Sequence, residues 1–64
     1  MKTFKLDGLR VQVIGASAVV FQGRRRVASY HVAHPYYIAL VYGEEALDAL
    51  TAQAAVDQFR KEYQ

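Results

Sequence analysis

Three adjacent arginines, Arg24, Arg25 and Arg26, form the densest charge in the chain. Guanidinium groups suit phosphates, because each presents a planar fork of donors that matches a pair of anionic oxygens. On a hairpin tip the three would lie along a nucleic-acid backbone or enter a groove, as β-ribbon readers do, with Arg10 and Lys5 extending the positive surface. Strand alternation sends Arg25 to the side opposite Arg24 and Arg26, so one flat basic patch needs a turn or a twist. The competing account is a solvated tip whose charge discourages edge-to-edge aggregation.

Tyrosines are the second group with chemistry to offer. Tyr30, Tyr36, Tyr37 and Tyr42, if placed on adjacent strands, would give unpaired bases faces to stack on beside the arginines. The plainer role is filling a small core or an interface, where tyrosine brings large area and asks for one hydroxyl partner. Tyr30 and Tyr37 are the two aromatic positions expected to contact a partner. His31 and His34 are three apart, which suits a metal on a helix but points to opposite faces on a strand, and neither has a Cys or a carboxylate nearby in sequence. No metal and no cofactor is expected. Ser17 or Ser29 with a histidine and Asp7 could be named as a nucleophile set, yet no nucleophile elbow or glycine-rich phosphate loop accompanies them. Glu44 and Glu45 fall at the start of a helical pattern, where acids complement the helix dipole.

The elements that would carry these residues begin with a hairpin. Lys2 to Leu6 and Leu9 to Ile14 alternate polar and apolar residues around Asp7-Gly8, and Asp-Gly is a strong signal for a two-residue type I′ turn. Gly15-Ala16-Ser17 is either a turn or a bulge. Ala18 to Phe21 resumes the strand pattern, Gln22-Gly23-Arg24 reads as a tight connection, and Arg25 to Val32 returns. After His34-Pro35, the run Tyr36 to Tyr42 has no polar side, which predicts a central strand covered on both faces. Beyond Gly43 the composition turns to Ala, Leu, Glu, Asp and Gln, good helix formers. Leu47, Leu50 and Ala54 form one apolar stripe there, while Ala52, Ala55, Val56, Phe59 and Tyr63 form another. Two arrangements fit: a short helix to Ala49 with Thr51 capping a second one, or one long helix whose second stripe meets another subunit.

These elements predict a single α+β domain over residues 1–64, in two layers: a small antiparallel sheet of three to five strands followed by a C-terminal α-helix. The chain has 64 residues, no cysteine and a formal charge of +2. A domain of this size buries only about 60% of the surface its unfolded chain exposes, and it has no disulfide to compensate. Nothing resembles a membrane span or a secretory signal, which suggests a soluble cytoplasmic protein. With an apolar central strand, the sheet face away from the helix would be too greasy for water, so a homodimer or a protein partner should cover it. The expected function is therefore a non-enzymatic regulatory protein acting by protein–protein binding, the way small regulators of phages and mobile elements work. The alternative is a nucleic-acid-binding module built on the Arg24–Arg26 hairpin. A low net charge favours the first, since small nucleic-acid binders commonly carry a larger basic excess.

Overall fold

Tight glycine turns fold the first half of the chain into a meander. In the computed structural model, which describes residues 1–63, the strands β1 (Lys2–Leu6), β2 (Leu9–Ile14), β3 (Ser17–Gln22) and β4 (Arg25–His31) form one antiparallel sheet in sequence order. Asp7 and Gly8 both have positive φ, 52° and 79°, as a type I′ turn requires. At the other two turns only the first central residue does, Gly15 at 60° and Gly23 at 66°, the pattern of type II′. Gly15-Ala16 is thus a turn and not a bulge; Ile14 pairs with Ser17 directly across it.

An irregularity lies further on. Val20 pairs with Ala28 while the next residue, Phe21, pairs with Arg26, so Val27 is an extra residue in β4. Such a bulge reverses the alternation on either side of itself. Simple alternation would put Arg26 on the face of Ala28 and Tyr30; the bulge moves it to the other one.

The remaining elements are α1 (Tyr37–Tyr42) and α2 (Glu44–Tyr63). The expected central strand from Tyr36 to Tyr42 is therefore absent. That segment is a helix which buries none of its residues. A short apolar run is equally compatible with either structure by periodicity, and Pro35, just before the Tyr36 N-cap, has no N–H to give to a sheet ladder. The amide of Ile38 bonds to the Pro35 carbonyl at 3.0 Å and that of Gly43 to the Ala39 carbonyl at 2.9 Å. Gly43, at φ 90° and ψ 162°, turns the chain directly into α2, a conformation essentially restricted to glycine.

Helix α2 runs unbroken for 20 residues. Thr51 does not cap a second helix: it is 1% exposed, and its hydroxyl donates to the Leu47 carbonyl at 2.9 Å inside the helix. The stripe of Thr51, Ala52, Ala55, Val56 and Phe59 is buried against Leu9, Val11, Val13, Ala18 and Val20 on the sheet. Small alanines let α2 approach closely, and Phe59 fills the wider end beside Tyr63, with ring centroids 4.9 Å apart. The Asp7 carboxylate and Arg60 form an ion pair that ties the first turn to the end of α2. Lys2 and Glu45 do the same, at 3.4 Å, at the opposite end of the helix.

Candidate interaction surfaces

Packing α2 on one face leaves the other face of the sheet open, and the register fixes what that face shows. Lys5 pairs with Arg10, Arg10 with Phe21, and Phe21 with Arg26. Directly paired residues share a face, so Lys5, Arg10, Phe21 and Arg26 form one row across all four strands. The Arg10 guanidinium stacks over the Phe21 ring, 4.6 Å from its centroid, a cation–π contact. Its Nε is buried without a hydrogen-bond partner. The neighbouring rows are Thr3, Gln12, Val19 and Ser29, then Ile14, Ser17 and His31. Among the described residues no carboxylate side chain lies on this face. Five of the six acids, Glu44, Glu45, Asp48, Asp57 and Glu62, belong to α2, and the sixth, Asp7, is paired with Arg60.

The three consecutive arginines are split by this arrangement. Arg24 sits in the turn after Gly23. Arg25 pairs with Gln22 on the α2 side, and both line an open depression of about 420 Å³ with Arg26, Val27, Phe59 and Tyr63. Of the three, Arg26 alone is in register with Phe21 and so joins the row of Arg10 and Lys5, while it also borders that depression. Neither sequence adjacency nor strand alternation identifies this row; it needs the register and the bulge.

Tyr30 is on the α2 face, where its hydroxyl donates to Glu62 Oε2 at 3.0 Å. Burial first, then that hydrogen bond and the charge of Glu62, with a smaller contribution from Tyr63, push its phenol up to about 12. It packs against the core on the α2 face. Tyr36, Tyr37 and Tyr42 are not on strands beside it, since they belong to α1 and its cap. Among the nucleophile candidates, Ser17 and His31 are opposite one another on the open face, but Asp7 is at the far turn and engaged with Arg60. His34 lies in the loop after β4, its Nε2 buried without a partner. Among the described residues no cluster of His, Asp or Glu could hold a metal ion.

The second surface is apolar. Tyr36 is 81% exposed and Leu40 75%, with Val41 and Tyr42 also largely bare. Alongside them, Tyr42, Ala46, Ala49 and Leu50 line an almost wholly apolar depression of about 510 Å³. This is where the second stripe of α2 emerges, partly covered by α1 and open at Leu50, which is 44% exposed. Helix α1 packs on α2 and contacts no strand. From Val27 to Gly43 the chain carries no Asp, Glu, Lys or Arg. No family model, curated protein or solved structure matches the chain. Among the described residues no helix is long and apolar enough to cross a membrane.

Proposed function

We propose that the protein is a non-enzymatic interaction module that acts by protein–protein association, and that the surface it uses is α1 with the adjoining Leu50 face of α2, paired with a second copy. The observation that carries this is the exposure of Tyr36, Leu40, Val41 and Tyr42 on one uncharged segment. A folded monomer of 7.2 kDa exposes about 4,100 Å² by the general area relation, whereas this chain exposes 4581 Å². The surplus, roughly 450 Å², is spread over the whole surface and includes the bare α1 side chains. An association through so small a patch is reversible and concentration-dependent.

A second copy is the favoured occupant because the patch lacks charge, so that a two-fold contact of α1 with α1 incurs no like-charge repulsion. The open sheet face is the poorer choice for a homodimer. Its Lys5, Arg10 and Arg26 would meet their own copies, and the apolar strand that would have made it greasy is a helix elsewhere. Multi-angle light scattering across a dilution series through tens of micromolar tests the proposal. A rise from 7.2 kDa towards twice that mass supports it, and a monomer throughout removes it.

A further inference from the structure

The open sheet face is a distinct surface, separated from α1 by the thickness of the domain, and its composition calls for a different ligand. Lys5 and Arg10 face each other directly, and like charges in that position destabilise a sheet. Arg26 adds a third cation one strand beyond Phe21. Among the described residues no acid on the face offsets them, although the chain has six acids; those acids are held on α2 or beside it. The charge separation thus leaves an uncompensated cationic row on one side of the molecule. The Arg10 guanidinium additionally sits over the Phe21 ring, with no ion pair among the described residues. An arginine fixed in this way presents both a charge to a phosphate and a plane to a base.

We propose that this face binds single-stranded nucleic acid, with Lys5 and Arg26 on phosphates and the Arg10–Phe21 pair as the stacking plate. Strand spacing sets the distance from β1 to β4 at about 14 Å, and side chains widen it further. The major groove of duplex DNA is about 12 Å wide, so the face is too broad to enter it. A single strand is flexible enough to lie across the row.

Neighbouring residues on opposite faces supply a charge-matched test. Arg26→Gln removes a cation from the row, while Arg25→Gln removes one from the α2 side. Fluorescence anisotropy of labelled oligo(dT) and oligo(U), each roughly 20 nucleotides and so longer than the largest single-domain sites of ~16, is measured against salt. Three neutralised phosphates give a log–log salt slope of about −2, and Arg26→Gln should reduce its magnitude by about 0.7. Arg25→Gln should leave the slope and affinity unchanged, and Phe21→Leu should weaken binding at an unchanged slope. Preference for one of the two oligonucleotides assigns DNA or RNA as the ligand. The proposal is overturned if the parent binds neither, if Arg25→Gln and Arg26→Gln act alike, or if a duplex of equal length or a vesicle rich in anionic lipid binds as tightly. Circular dichroism of each variant separates lost binding from lost folding. These outcomes do not depend on the oligomeric state and so leave the α1 proposal to its own test.

Discussion

Leu40→Lys separates the folded monomer from its association. Complete burial of a leucine contributes roughly 1.5–3 kcal/mol. Leu40 is 75% exposed in the single chain, so a partner can gain about 1–2 kcal/mol from each copy, and two-fold symmetry doubles it to about 2–4 kcal/mol. At 1.4 kcal/mol per decade this weakens a dimer by roughly 30- to 1,000-fold, before any penalty for burying the ammonium group. The monomer should hardly respond. A change at so exposed a site typically alters stability by no more than about 0.5 kcal/mol; lysine is a good helix former, and the acids Glu44 and Glu45 lie nearby along the chain. Sedimentation equilibrium should then show a monomer where the parent is associated, with the same unfolding midpoint for both under dilute conditions. Unchanged association would show that α1 is not the contact. A large loss of stability in dilute solution would show instead that Leu40 belongs to the fold.

Phe59→Ala should cost about 3–5 kcal/mol, a large share of the roughly 3–10 kcal/mol expected for a chain of this length; thermal unfolding should show a midpoint at least about 12 °C lower. At the first turn, Asp7→Asn tolerates the left-handed backbone and removes only the charge facing Arg60. It should cost no more than about 1 kcal/mol and less in high salt, whereas Asp7→Val adds roughly 1–2 kcal/mol of backbone strain at φ 52°. Tyr30 should ionise near 12. Because folding favours its protonated form, its contribution to stability is complete below the ordinary phenol value of 10 and fades as the pH rises through 12. Denaturant melts at successive alkaline pH values, compared with Tyr30→Phe, read this directly.

The turns at Asp7-Gly8 and Gly23 were legible because their rules are local, whereas Gly15-Ala16-Ser17 fitted a bulge as well as a turn. Asp7-Gly8, Gly15 and Gly23 each supply the positive φ that a two-residue hairpin needs, whatever surrounds them, and the strands between them alternate. Helix α2 follows from composition, and its buried stripe of Ala52, Ala55, Val56 and Phe59 from helical spacing. Tyr36 to Tyr42 was misleading for a physical reason: a fully apolar run normally marks a buried element, yet here it is exposed on a short helix. Inferring burial from hydrophobicity fails where the surface itself is hydrophobic. The bulge at Val27 has no compositional signal, since valine is as ordinary in a regular strand as in an irregular one. Arg10 and Lys5 were visible as possible extensions of a basic surface, but their alignment with Arg26 depends on that single extra residue.

The same residue explains why low net charge is a poor guide to this molecule. A formal +2 averages over a helix rich in carboxylates and a sheet rich in cations, and an approaching polyanion meets one side at a time. At physiological ionic strength screening acts over about 8 Å, less than the 17 Å of the molecule's shortest dimension, so the acids on the far side of α2 do little to cancel the row on the open face. With Val27 paired regularly, Arg26 would point toward α2, where Glu62 and Asp57 reside, and the row would end at Phe21. One unpaired valine in β4 therefore decides whether the third cation stands among the acids or away from them. Deleting Val27 keeps Arg26 opposite Phe21 and removes only the bulge, so oligonucleotide binding should retain its salt slope, while a fall as large as that of Arg26→Gln would contradict the assignment of faces.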